Sequence, residues 1–137
     1  MSDNKFLIKF CKNLQNVVEQ LCKIFPTEND FAVLDTAIAG LIEFNKYDYL
    51  AKEYFTYVYK YHTIIDAEDE EALLNLDIID DIKDRVNEKE GSLKIEHFKK
   101  LIQSGASAQT KKNFFGHLKL LNRIIEHIRD VEKSVVF

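Results

Sequence analysis

The chain has few residues that break helices: its 137 residues include one proline, Pro26, and four glycines. Proline removes a backbone donor and glycine has a low helix propensity, so few positions force a helix to end. Apolar residues recur at alternating steps of three and four, which is the repeat of one face of an α-helix. The sequence therefore predicts an all-α protein.

Long apolar runs are also missing. No stretch approaches the roughly 20 residues needed to span a bilayer, and the start of the chain, MSDNK, is too polar to open a secretory signal. With 46% hydrophobic and 31% charged residues, the composition is too apolar for intrinsic disorder. We therefore expect a single soluble intracellular domain, residues 1–137, that does not associate with a membrane.

Cysteine is limited to Cys11 and Cys22, which lie eleven residues apart on one predicted helix. That spacing separates them by about 16 Å along the helix, whereas a disulfide requires a Cα separation below about 7 Å. We expect two buried free thiols on an apolar helix face, where a thiol stays protonated and inert as a nucleophile.

The sequence lacks the patterns that carry catalytic or cofactor chemistry. It has no Gly-x-Gly-x-x-Gly, Walker, Gly-x-Ser-x-Gly or Cys-x-x-Cys motif. An EF-hand loop starting at Asp66 would need glycine where Glu71 stands and glutamate where Asp77 stands. A di-iron site needs Glu-x-x-His pairs, and no histidine of the chain has a glutamate three residues before it. We therefore predict a protein that is not an enzyme, with no catalytic, cofactor-binding or metal-ligating residues.

Two long amphipathic helices are predicted at the ends of the chain. The first runs from about Asp3 to Phe25, where Pro26 ends it, and the last runs from about Ser107 past Asp130. We expect the two helices to pair as the spine of a bundle. Their core-facing residues are Leu7, Phe10, Leu14, Val17, Leu21 and Ile24 in the first, and Phe114, Leu118, Leu121, Ile125 and Ile128 in the last.

A second helix is predicted after Pro26, capped by Thr27 or Asp30 and ending near Asn45. Its predicted core-facing residues are Phe31, Leu34, Ile38 and Leu41. Small residues give it a flat patch that a neighbour could approach closely, formed by Ala37, Ala39 and Gly40.

A third helix is predicted over residues 46–65, and it contains all six tyrosines of the chain. Its core-facing stripe is Tyr47, Leu50, Tyr54, Val58, Tyr61 and Ile65. Tyr49, Tyr57 and Tyr59 cannot all lie on that stripe. Because tyrosine combines an apolar ring with a polar tip, rings left outside the core suit a protein interface. The alternative is that later helices cover them.

Acidic residues mark the middle of the chain. Residues 66–74 predict a short helix with acids in its first turn, where they complement the positive end of the helix. Residues 76–90 predict a further helix, Gly91 is predicted to end it, and Ser92 is predicted to cap a helix that ends before Gly105. The helix over residues 76–90 carries a stripe of carboxylates, namely Asp77, Asp80, Asp81 and Asp84.

The segment from Asp80 to Asp84 matches the short acidic pattern that binds magnesium in diphosphate-using enzymes. Magnesium held in this way also needs substrate phosphates and several waters. The chain shows no second acidic site and no phosphate-binding loop. A solvated acidic face is therefore the favoured interpretation, and magnesium binding would reveal itself as a higher melting temperature in millimolar Mg²⁺.

Charge is segregated along the chain. Residues 66–90 hold eleven acids and three bases, and residues 91–137 hold four acids and nine bases. These segments can face each other inside one molecule or join two copies. The basic segment also supports an alternative function, nucleic-acid binding, although the whole chain is acidic with a net charge of −4.

Short motifs in the first 80 residues carry a family resemblance: a helix closed by Phe25 and Pro26, an aromatic helix, and the segments Ile64-Ile65-Asp66, Asp69-Glu70 and Leu73-Leu74-Asn75. In this order they resemble small, uncharacterised all-helical proteins of large nucleocytoplasmic DNA viruses. The chain departs from that pattern at Ala72 and Leu73, where aromatic residues are expected after the acidic pair. The resemblance implies a viral, virion-associated protein in the host cytoplasm or the virion, without an enzymatic role.

The sequence thus predicts an all-α single-domain bundle of about five or six helices with long first and last helices. The predicted function is protein–protein interaction, with a protein partner or by self-association, in a structural, assembly or regulatory role. The candidate interface residues are Tyr49, Tyr57, Tyr59, Asp77, Asp80, Asp81, Asp84, Lys111, Lys112, Lys119 and Arg123.

Overall fold

The computed structural model describes residues 5–78, 87–132 and 135–137. In these ranges the chain forms helices and turns without strands, and long helices of 20 and 24 residues lie at its two ends. The predicted all-α class with long terminal helices is confirmed. The helices are α1 (Lys5–Ile24), α2 (Asn29–Glu43), α3 (Tyr47–Tyr57), α4 (His62–Asp66), α5 (Glu70–Leu74), α6 (Glu88–Lys100) and α7 (Ala108–Val131), with a 3₁₀ turn (Tyr59–Tyr61) before α4 and a π-helical turn (Leu101–Gly105) after α6.

The first and last helices pack side by side and run antiparallel. Phe6, near the start of α1, lies edge to face against His127, near the end of α7, with the ring centroids 4.2 Å apart. At the opposite end, Leu21 and Phe25 pack with Phe114 from the start of α7. The predicted pairing of the terminal helices is therefore confirmed.

The main core lies between α1, α2, α3 and α7. Full burial of one large aliphatic or aromatic side chain stabilises a fold by about 1.5–3 kcal/mol. This shared apolar cluster therefore holds the terminal helices together. Its most completely buried members are Phe10, Cys11, Ala51, Leu121, Ile125 and Ile128.

One polar pair is sealed inside this core. The hydroxyl of Tyr54 donates to Oδ1 of Asn122 at 2.7 Å, and Asn122 is fully buried. Among the described residues, no hydrogen-bond partner reaches Nδ2 of Asn122. The sequence interpretation missed Asn122, because an isolated asparagine on an amphipathic helix is most often at the surface.

Both cysteines are free, as predicted. Cys11 is buried and its Sγ lies 3.6 Å from the backbone oxygen of Tyr47, whereas Cys22 is half-buried. Burial raises the pKa of the Cys11 thiol to about 12, and the nearby carboxylate of Asp48 acts in the same direction. Cys11 therefore stays protonated at neutral pH.

The second helix differs from its prediction at its start and in its burial. Glu28 occupies the N-cap position, without a side-chain hydrogen bond, so the prediction that Thr27 or Asp30 caps the helix is wrong. Phe31 and Ile38 are buried as predicted, but Leu34 is exposed. The helix packs mainly on α1 and α3, and Phe31 at its start also contacts Phe98 of α6, whereas Leu34 is exposed.

The prediction of one continuous helix over residues 46–65 is wrong. The helix is interrupted at Val58, whose φ of −115° departs from helical geometry, and the 3₁₀ turn follows. The interruption brings Tyr59 to α7, where its hydroxyl donates to Glu126 at 2.8 Å. A straight helix would have left this ring outside the core-facing stripe, so burial of the ring favours the break.

The predicted boundary at Gly91 and Ser92 is also wrong, because both residues lie inside α6. The N-cap is Asn87, whose side chain accepts from the backbone N–H of Glu90 at 3.1 Å. A glycine in the first helical turn is tolerated when such a cap satisfies the exposed N–H groups. The predicted start of the last helix near Ser107 is confirmed, and Ser107 is its N-cap, accepting from the N–H of Thr110 at 3.1 Å.

Candidate protein-interaction surface

The acidic segment around α5 faces basic residues of α7 within the same molecule. Three ion pairs connect the two elements, so at these residues the opposite charges meet inside one chain. A hydrogen bond from Lys119 lowers the pKa of Glu68, which is consistent with such pairing. The pairs are Lys111 with Glu70 at 2.8 Å, Lys119 with Glu68 at 2.9 Å and Arg123 with Asp66 at 3.7 Å.

Lys112 and Asp77 are the other charged candidates that the structure describes, and the charge of Lys112 also contributes to the lowered pKa of Glu68. Lys112 and Asp77 are exposed. Asp80, Asp81 and Asp84 lie outside the described residues, as does most of the predicted helix over residues 76–90.

The three candidate tyrosines separate into three environments. Tyr49 is 47% exposed, and Tyr57 is half-buried. Tyr59 is only 8% exposed, so the prediction that its ring is available to a partner is wrong. Its pKa is raised, first by burial and then by the hydrogen bond to Glu126.

A stack of rings explains why Tyr59 is covered. Phe55 and His62 lie against the two sides of the Tyr59 ring, at centroid distances of 5.1 and 4.6 Å and with nearly parallel planes. Phe137 extends the stack on the other side of Phe55, at 4.6 Å. The aromatic surface of Phe55 and Tyr59 is thus used for internal packing, whereas Tyr49 stays exposed.

The largest exposed apolar side chains near Tyr49 belong to α2. Phe44, which follows the last turn of α2, is 74% exposed and Val33 is 60% exposed. Between them, Gly40 has open space on its outer side: a Cβ built there would meet no atom within 4 Å. An open groove runs between the end of α2 and the start of α3. It is lined by Ala37, Gly40, Leu41, Phe44, Lys46, Asp48 and Tyr49.

We call the exposed apolar side of α2 the outer face of α2; its members are Val33, Leu34, Ala37, Gly40, Leu41, Phe44 and the neighbouring Tyr49. Positions 33, 37, 40 and 44 recur at steps of three and four, so they lie on one side of the helix. The opposite side is buried through Phe31 and Ile38. A helix that is apolar on both sides is usually buried on both sides, whereas here the outer side is exposed.

The sequence contained a signal for this surface. Between Phe31 and Ile42, Asp35 is the only charged residue. An ordinary surface helix carries a charged outer stripe, and α2 lacks one. The flat patch at Ala37 and Gly40 was identified from the sequence, but the exposure of Val33, Leu34 and Phe44 was not.

A small-molecule site has less support in the described residues. The groove beside Gly40 has a volume of about 770 Å³ but is widely open to solvent. The more enclosed cavity, between α1 and α7 with Phe25, Phe114 and His117 in its lining, has a volume of only about 70 Å³. Pockets for metabolites are usually about 300–1,000 Å³. Within the described ranges no three His, Cys, Asp or Glu side chains are grouped as metal ligands.

Comparison with known proteins identifies no relative: no family model matches the chain, and no curated protein and no solved structure is significantly similar to it. In the part of the chain that the structure describes, no helix combines the length and apolarity needed to cross a membrane. The function must therefore be inferred from the surface chemistry of this chain.

Proposed function

We propose that this protein is a non-enzymatic protein-interaction module that binds its partner through the outer face of α2. The observation that carries the proposal is the open position at Gly40 between two strongly exposed apolar side chains, Val33 and Phe44. Its biological role is structural, assembly or regulatory.

The energetics of apolar exposure support this proposal. Removing apolar surface from water contributes roughly 25 cal/mol per Å², and a fully buried phenylalanine contributes about 1.5–3 kcal/mol. Phe44 and Tyr49 are exposed side chains of the aromatic kind that is enriched in interface cores. Their burial by a partner would therefore supply much of the binding energy.

Nucleic-acid binding, the alternative from the sequence, has weaker support. Lys111, Lys119 and Arg123 already pair with carboxylates of the same chain. A phosphate backbone would have to compete with those carboxylates, which reduces the favourable electrostatic contribution. Lys112 and Arg123 are the exposed members of the basic candidate set.

The resemblance of the first 80 residues to proteins of large DNA viruses adds a biological setting to the proposal. A small helical protein with one adhesive face suits assembly of a larger particle, where many weak contacts are combined. We include a virion-associated role in the proposal on this basis.

The proposal is tested by affinity capture from the native host with three baits of matched helicity and melting temperature. These are the wild type, Phe44→Ser on the outer face of α2, and Leu93→Ser as a control. Leu93 is 66% exposed on α6, so both substitutions remove an exposed apolar side chain. Proteins that bind the wild type and the control are expected to be lost with Phe44→Ser. Equal capture by all three baits would contradict the proposal.

A further inference from the structure

The outer face of α2 has the features of a surface that binds a second copy of itself. We propose that two copies of this chain dock α2 against α2 in antiparallel orientation about a two-fold axis near Ala37. This inference rests on the proposed function, because it names the partner of the same face.

The centre of the face permits close approach. Ala37 is exposed and small, and the outer side of Gly40 is open. Helix pairs approach to about 8–10 Å between axes, and small side chains at the contact favour the shorter distance. Phe44 lies seven residues after Ala37, and Asp30 lies seven residues before it. In an antiparallel pair centred on Ala37, Phe44 of each copy therefore lies against the start of α2 in the other copy, near Val33.

Charge decides the orientation of the pair. At the start of α2, Asp30 pairs with Lys94 of α6 at 3.5 Å, and both side chains are exposed. Beyond the end of α2, Lys46 and Asp48 are exposed and line the groove. An antiparallel pair brings Lys46 toward the Asp30 of the other copy and Asp48 toward its Lys94. A parallel pair would place Asp30 against Asp30 and Lys46 against Lys46, which is unfavourable.

These contacts would form twice, because a two-fold interface uses the same patch on both copies. The size of the face limits the affinity. The 15 residues of α2 extend over about 22 Å, and stable interfaces usually bury about 800 Å² on each partner. A contact made by one helix from each copy buries less surface than this. We therefore expect a reversible dimer with a Kd of about 10 µM to 1 mM.

Sedimentation velocity over a protein concentration of about 10 µM to 1 mM tests the dimer. Ala37→Glu places two carboxylates opposite each other at the two-fold axis, and it is expected to weaken dimerisation at least about tenfold. Leu93→Glu, an equivalent change at an exposed position of α6, is expected to leave it unchanged. A dimer that is insensitive to Ala37→Glu would overturn the inference.

Charge exchange tests the orientation. Lys46→Asp and Asp30→Lys are each expected to weaken the dimer about two- to twentyfold, because each exposed pair contributes modestly and occurs twice. The double variant restores opposite charges and is expected to recover most of the affinity. A double variant weaker than either single variant would exclude the antiparallel pairing.

A cysteine at the axis gives a geometric test. Ala37→Cys, made in a Cys22→Ser background, is expected to form a disulfide-linked dimer under mild oxidation, since the two positions face each other across the axis. Leu93→Cys in the same background is expected to remain monomeric. Failure of Ala37→Cys to cross-link at concentrations where the chain dimerises would contradict the proposed register.

Failure of this inference is distinguishable from failure of the proposed function. If the chain is monomeric at the highest concentration while Phe44-dependent capture of another protein persists, self-docking is overturned and the proposed function stands. If a dimer forms and neither Ala37→Glu nor Phe44→Ser affects any association, both proposals are wrong.

Discussion

The buried pair of Tyr54 and Asn122 allows a quantitative test of the core. The Tyr54 hydroxyl donates to Asn122 Oδ1 at 2.7 Å and has a longer contact of 3.4 Å to the backbone oxygen of Leu118. Burial raises the pKa of Tyr54, so the hydroxyl remains a donor at neutral and moderately alkaline pH. Three variants test this contact: one lacks the Tyr54 hydroxyl, one lacks the Asn122 amide, and one lacks both.

Loss of one partner leaves the other in an apolar environment. Tyr54→Phe leaves Asn122 Oδ1 without its donor, in addition to Nδ2, which already lacks a partner among the described residues. A buried unsatisfied polar group is unfavourable by about 1–3 kcal/mol, so we expect a loss of about 2 kcal/mol. Asn122→Leu removes the unpaired amide and leaves the Tyr54 hydroxyl its contact with Leu118, so we expect a loss of less than about 1 kcal/mol.

The double variant Tyr54→Phe with Asn122→Leu removes both polar groups, and replacement of both partners by apolar groups of similar shape is often nearly neutral. We therefore expect a coupling free energy of about 2–3 kcal/mol between the two positions. Urea unfolding followed by circular dichroism measures the free energy of unfolding of each variant, with Tyr49→Phe as the control for an exposed ring. A neutral Tyr54→Phe, or additive effects in the double variant, would refute the assignment of this pair as a coupled buried contact.

Four further predictions concern other parts of the fold. Tyr59→Ala is expected to lower the free energy of unfolding by about 3 kcal/mol, because a buried ring and its hydrogen bond are lost. An unchanged urea midpoint would show instead that the ring lies at the surface. Gly116→Ala is expected to stabilise α7 by about 0.5–1 kcal/mol in a thermal melt, since the added Cβ meets no atom within 4 Å; destabilisation would contradict the open position. Folding raises the pKa of Cys11 from 9.0 to about 12, so the contribution of the protonated thiol to stability is complete below pH 9 and is lost as pH rises through about 12. Between these values the free energy of unfolding should fall by about 1.4 kcal/mol per pH unit, which urea midpoints at several pH values would measure. Cys11→Ala should make this fall smaller. A double-mutant cycle on Glu68 and Lys119 is expected to give a coupling of about 0.2–1 kcal/mol that decreases in high salt, and a salt-independent value would argue against an exposed ion pair.

The sequence was sufficient to predict the helical class and the pairing of the terminal helices, because both depend on local periodicity. Leu7 and Ile128 lie on apolar stripes, and both are buried where the stripes meet. The start of the last helix near Ser107 was also predicted, since the beginning of an amphipathic pattern depends only on nearby residues. These features need no knowledge of tertiary contacts.

Features that depend on contacts between distant residues could not be predicted. The break at Val58 is favoured by packing of Tyr59 against α7, which lies more than 60 residues later in the chain. The burial of Asn122 depends in the same way on Tyr54. Local patterns carry no information about these long-range pairs.

The candidate surface was predicted only in part, for a related reason. Tyr49 and the small residues of α2 were identified, but Leu34 was placed in the core and Phe44 was not considered. For a helix that is apolar on both sides, the sequence does not show which side packs inside the chain. Only the position of α1 and α3 distinguishes the buried side from the exposed one.

The most direct test of the claim that two copies of the chain bind each other through the outer face of α2 is a concentration series of methyl NMR spectra of the full chain. We predict concentration-dependent shifts at the methyl groups of Val33, Leu34 and Leu41 on this face, with constant shifts at Leu93 of α6. Unchanged α2 methyl resonances under conditions where the chain self-associates, or shifts centred on Leu93, would contradict the account.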